Sequence, residues 1–135
     1  MRRPLTALCT ALCAVGLSAC ATTVSTSSFK GTKQLVAQTV ANLQSDATAS
    51  ENKKICANDL SAAVVARLGG AKGCETAIKN QLAQVDSLEV SVQSIDLAAG
   101  EASATAHVKS IHQGKNTAAT ITLVKEGGRW KISGL

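Results

Sequence analysis

The chain of 135 residues reads as an α+β domain in which N-terminal helices pack on a curved, four-stranded antiparallel sheet. Two observations predict this class. Apolar side chains recur at helical spacing from Leu35 to Leu82, and from Ser87 onward they alternate with polar ones as a half-buried strand requires. Gly-rich punctuation at Leu68-Gly69-Gly70 and at Glu126-Gly127-Gly128-Arg129 separates the elements. Helices first and strands afterwards, in one chain, is the α+β order.

Residues 32 to 48 are expected as the first helix. Leu35, Val36, Thr39, Val40 and Leu43 fall on one stripe, and Lys33, Gln34, Asn42 and Gln44 point elsewhere. A second helical region opens near Ser50, a favourable N-cap residue, and turns Ile55, Cys56 and Leu60 inward, with Val64, Val65 and Leu68 continuing after Ser61. The glycines at 69 and 70 stop it. Cys74 then opens a third helix, with Ile78 and Leu82 one turn apart on the same side.

In the second half Leu88, Val90 and Val92 alternate with Glu89, Ser91 and Gln93. Ala102, Ala104, Ala106 and Val108 alternate next, Gln113 to Asn116 makes a hairpin turn, and Ala119, Ile121 and Leu123 alternate again. The turn at 126–129 leads to Trp130, Ile132 and Leu135, which completes a meander of four strands.

The N-terminus carries information of another kind. Arg2 and Arg3 form a positive start, Leu5 to Leu17 an apolar run, and Leu17-Ser18-Ala19-Cys20 a lipobox with small residues before the cysteine. The layout and the last four residues resemble bacterial lipoprotein signals. That resemblance implies cleavage after Ala19 and a diacylglyceryl group on Cys20, and two chains suffice for stable attachment to a membrane. The alternatives are an ordinary secretory signal, which leaves a reactive thiol, and a spanning anchor, for which the run is too short against the roughly 20 residues needed. The expected organisation is a signal peptide at 1–19, a lipidated cysteine with a Ser/Thr-rich tether at 20–31, and a domain at 32–135. Ten extended tether residues reach roughly 33–36 Å, enough to lift the domain off the head groups. The location that follows is the extracytoplasmic face of a cell membrane.

Of the five cysteines, Cys9 and Cys13 leave with the signal and Cys20 is consumed by lipid. Cys56 and Cys74 remain, an even pair in an oxidising compartment, where a disulfide is the expectation. Two separate buried thiols or a redox pair are the alternatives. The chain has 14 Lys and Arg, and losing Arg2 and Arg3 leaves 12 against 9 acidic side chains, a weak positive balance. Lys53-Lys54 reads as a solvated helix face. With one Phe, one Trp and no Tyr, the domain lacks the stacking platforms of a nucleic-acid binder.

The run from Thr120 through Glu126, Gly127, Gly128, Arg129 and Trp130 to Leu135 resembles the closing hairpin of nuclear transport factor 2-like domains of the cystatin-like superfamily. Similar lipoproteins also pair a cysteine before a Leu-Ser segment with another beyond a Gly-rich turn, matching Cys56, Leu60-Ser61, Gly69-Gly70 and Cys74. The resemblance implies a cone-shaped sheet closed by helices with a pocket between them. It also makes a homodimer through the sheet a candidate assembly.

Such folds host enzymes and binders alike, so the site decides. Enzymes of the ketosteroid isomerase type, which this fold resembles, need an acid or histidine base with an oxyanion donor, often Tyr, and Tyr is absent. His107 has the parity opposite to Ala104, Ala106 and Val108, and His112 sits at a strand end. Asp86, Glu89, Asp96 and Glu101 scatter over turns and polar faces, with Asp96, between Ile95 and Leu97, the best inward candidate. Two histidines five residues apart form no recognised metal set. The expectation is a noncatalytic module without cofactor or metal. Its first candidate partner is an envelope protein docking on the exposed sheet face. The second is a small apolar ligand in a pocket lined by Ala104, Ala106, Val108, Ala119, Ile121, Leu123 and Trp130, unless those alanines serve close packing instead.

Overall fold

The computed structural model describes residues 25–85, 89–112 and 114–135, with the side chain of His112 outside that set. The signal segment, Cys20, Asp86, Leu88 and Gln113 lie outside the described residues. Helix α1 (Thr32–Thr48) is followed by α2 (Asn52–Lys54), which runs straight into a π turn (Ile55–Asp59). Helices α3 (Ala62–Arg67) and α4 (Gly70–Leu82) come next. Strands β1 (Glu89–Leu97), β2 (Ser103–His112), β3 (Lys115–Glu126) and β4 (Arg129–Gly134) then form one antiparallel sheet in the order β1-β2-β3-β4, so the predicted helices-then-meander order holds. The sheet is open.

One face of the sheet is the core wall. Ile95, Ala104, Ala106, Val108, Ile121, Leu123, Trp130 and Ile132 are buried there, and α1 lies across β1, β2 and β4. Ala104 sits opposite Leu123 and Ala106 opposite Ile121, so each small side chain has a large cross-strand neighbour. The β1–β2 register shifts between Val92 and Ser94, which leaves Gln93 as the extra residue of a bulge. Inward positions consequently pass from Val90 and Val92 to Ile95 and Leu97. The β3–β4 loop is Gly127-Gly128 alone, both at positive φ, as a two-residue hairpin of matching twist demands.

Three sequence expectations need correction. The buried stripe of α1 is Val36, Ala37, Val40, Gln44 and Ala47, and Leu35 is 58% exposed. Burying the small side chains of Ala37 and Ala47 beside Val36 and Val40 turns the inward face by about one position, and Leu35 comes out to solvent. Ser50 adopts φ 56° and makes no cap; the region after it is a short helix and a π turn rather than one helix. The real cap is Ser61, whose hydroxyl accepts from the Val64 N–H at 3.3 Å and starts α3. Finally, α4 opens at Gly70 and not at Cys74. A side chain at Gly73 would collide with the Leu68 carbonyl, so the α3–α4 corner is close-packed backbone.

Cys56, in the π turn, is bonded to Cys74 in α4, with Cα atoms 6.0 Å apart and a sequence separation of 18. The bridge joins helices that otherwise meet mostly half-buried side chains, because Val64, Val65, Leu68, Ile78 and Leu82 only flank the core. Replacing both cysteines, as C56A/C74A, should lower the unfolding free energy in urea by about 3 kcal/mol, the loop-closure value for a crosslink of this span. An unchanged denaturation midpoint would contradict it.

Candidate functional site

The exposed stripe of α1 carries Leu35, Gln38, Thr39, Asn42, Ser45 and Asp46, spaced three and four residues apart and therefore on one face. Gln38 Nε2 donates to Asn42 Oδ1 at 3.0 Å, tying neighbouring turns. Opposite this face stand Gly128, Arg129 and Trp130 at the β3–β4 hairpin, and Lys54, Asn58 and Asp59 of α2 and the π turn close one end. The cleft between them has a volume of about 640 Å³.

Asp59 is the last residue of the π turn. The Leu60 N–H donates back to the Ile55 carbonyl at 3.1 Å, the five-residue spacing that defines the turn and shifts Asp59 from where an α-helix would put it. Lys131 from β4 donates from Nζ to the carbonyls of Ala57 and Asn58, so the open end of the turn is held by a cation, as a helix C-terminus prefers. The Asp59 side chain is 4% exposed, and its Oδ2 has no hydrogen-bond partner among the described residues.

Burial, reinforced by the adjacent Asp46 carboxylate, pushes the Asp59 carboxyl up to about 7, against the opposing pull of Lys131 and Lys54. Asp46 is itself paired with Lys54, at 3.3 Å, and Lys54 also reaches Glu51 at 2.5 Å. Glu51 first and Asp46 second hold the Lys54 ammonium above its ordinary range. The indole Nε1 of Trp130 is likewise buried without an acceptor among the described residues, with Lys125 Nζ 6.0 Å from the ring centroid.

The sequence-predicted residues fall elsewhere. Ala104, Ala106, Val108, Ile121 and Leu123 are core residues facing the helices, and Ala119, which shares their parity, is exposed. Of the seven expected pocket residues, only Trp130 lines this cleft. Asp96 is exposed, its Oδ2 3.0 Å from His107 Nε2 across the outer sheet face. Glu101 accepts from Thr32 Oγ1 at 2.7 Å at the surface. The acids that do converge, Asp46 and Asp59, were missed by sequence reasoning. Asp59 left a legible signal: it lies four residues after Ile55 and three after Cys56, an acid on a stripe otherwise apolar.

No protein-family model matches the chain, and no curated protein and no solved structure matches it either.

The raised Asp59 carboxyl fixes the sign of a pH effect. The folded chain holds this proton more tightly than the unfolded one, whose carboxyl titrates near 3.8. The associated stability is complete below that value, is lost as pH rises toward about 7, and is flat beyond. Asp59→Asn should remove a decline on the order of 3 kcal/mol across this window, read as the difference between the two proteins in urea titrations at successive pH values. Parallel pH profiles would show that the Asp59 carboxyl titrates alike in the folded and unfolded chain.

Proposed function

We propose that the chain is a lipid-anchored lipoprotein of the bacterial cell envelope, held on the extracytoplasmic face through Cys20, whose domain binds through the α1–hairpin cleft without catalysing a reaction. The observation that carries the binding reading is the cleft itself, about 640 Å³ between the outer face of α1 and the β3–β4 hairpin and in the size range of small-molecule sites. Helices followed by a meander, together with the bridge between Cys56 and Cys74, support reading the domain as nuclear transport factor 2-like with a cone-shaped sheet.

The outer face of the sheet is a weaker surface for a partner or a second copy. Ser91, Ser94, Asp96, His107, Lys109, Thr120 and Thr122 are exposed there, with no aromatic anchor of the sort that dominates tight protein interfaces. An apolar cargo is also less well served, since the alanine stripe is packed against the helices and the cleft is lined largely by polar side chains. Among the described residues no helix is long and apolar enough to cross a membrane, so the proposed attachment rests on Cys20.

Cys20→Ser should abolish metabolic labelling with palmitate and move the chain from the membrane fraction to the soluble periplasmic or secreted fraction. Continued sedimentation of the unlabelled variant with membranes would count against the anchor.

A further inference from the structure

Building on the Cys20 anchor, we propose that the end of the domain where the tether joins it is a docking face for anionic phospholipid head groups, so that the domain rests on the membrane instead of floating above it. The topology fixes which end this is. Thr32, the first residue of α1, donates from its hydroxyl to Glu101 in the turn between β1 and β2 at 2.7 Å. The Lys125 N–H donates to the neighbouring Ala102 carbonyl at 2.9 Å, which brings the β3–β4 hairpin to the same end, and Leu35 and Arg129 line one cleft there. The start of α1, the β1–β2 turn and the β3–β4 hairpin therefore share one end of the sheet, and the β2–β3 turn lies at the other.

The chain is fastened to the domain at this end before α1 begins. Phe29 is half-buried against the core, and its N–H donates to the Thr26 carbonyl at 3.2 Å. Phe29 lies nine positions after Cys20. Fully extended, that length spans about 30–32 Å, so the anchored end cannot leave the neighbourhood of the bilayer. A tether of this kind makes docking intramolecular, and a surface too weak to capture vesicles from bulk solution then suffices.

The charge of this end suits an anionic partner. Lys30, Lys33, Lys125 and Arg129 are exposed on it, and among the described residues none of them forms an ion pair. The two acids beside them are already engaged, Glu101 with the Thr32 hydroxyl and Glu126 with the Ala62 N–H. Lys33 stands in the first turn of α1, where the helix dipole favours acids and this helix has none, so helix stability does not account for its charge. Among these cations Leu35 is 58% exposed. Basic side chains beside an apolar one is the combination by which surface helices engage head groups and the acyl boundary beneath them. Each Lys or Arg close to an anionic surface strengthens attachment by about 5-fold.

The test uses the lipidated chain isolated from membranes, its mass reporting the lipid on Cys20, reconstituted in nanodiscs of phosphatidylcholine with and without phosphatidylglycerol. Both discs carry a gadolinium-chelating head group, and attenuation of the backbone amide signals is read residue by residue. The tether is identical in the two discs, so the difference between them isolates the head-group contact. The expected result is stronger attenuation at Lys30, Lys33, Leu35, Lys125 and Arg129 in the phosphatidylglycerol discs, lost in about 1 M salt, where the screening length is about 3 Å. Lys33→Glu with Arg129→Glu, both at exposed positions, should abolish the difference, and Lys115→Glu at the opposite turn should preserve it. Equal attenuation in both discs would overturn the docking face and leave the anchor standing, as would a difference that survives salt or the double reversal. A chain without lipid on Cys20 would overturn the anchor and the docking geometry together.

Discussion

The structure depends on the place where the helical layer is pinned to the sheet. At Leu60 and Ser61 the chain leaves its helices for two residues and runs beside β4, with Leu60 in a parallel bridge to Ile132 and the Ser61 N–H donating to the Ile132 carbonyl at 2.8 Å. Leu60 is buried by this contact, and Ser61 starts the next helix from it. Glu126 reinforces the junction from the far strand, its carboxylate accepting the Ala62 N–H at 3.2 and 3.3 Å at the start of α3. Backbone pairing of this kind has little lateral play. A continuous α-helix through 52–67 could not reach it, and the π turn is how the helix is brought to an end in time.

The electrostatics of the cleft follow from that pinning. The π turn ends on Asp59 with its side chain between the helix and the hairpin, and Lys131 and Lys54 supply positive charge that partly offsets its burial. Asp46 works the other way and keeps the carboxyl reluctant to ionise. A fold optimised only for stability would place an amide or an apolar residue there, since a buried ionisable group with an unmet valence is a net cost. The disulfide between Cys56 and Cys74 anchors the same turn, so the costly residue sits on a stretch held both by that bridge and by Lys131.

How much of this was legible in the residues differs by element. The strands were plain, because Ala104, Ala106 and Val108 or Ile121 and Leu123 alternate without ambiguity and the Gly127-Gly128 turn fixes their pairing. The first helix was placed to the residue and its inward Val36 and Val40 were read correctly, but apolar volume favours Leu35 where the fold buries Ala37, Gln44 and Ala47. The second helix was misread as continuous, because the break at Leu60 arises from a partner some 70 residues away that no local period encodes. The site escaped for a related reason. Asp46 and Asp59 are separated by a loop and a helix, and their proximity is a product of the π turn.

The two edges of the sheet are treated differently. Along β4 the exposed backbone is partly occupied by Leu60 and Ser61, and along β1 the bulge at Gln93 interrupts the regular ladder that another strand would need as a template. Under the proposed tethering to a membrane, neighbouring copies meet far more often than in bulk solution, and a strand margin ready to recruit its neighbour would turn anchoring into aggregation. A sheet with one margin covered and the other kinked offers little template for that edge-to-edge pairing.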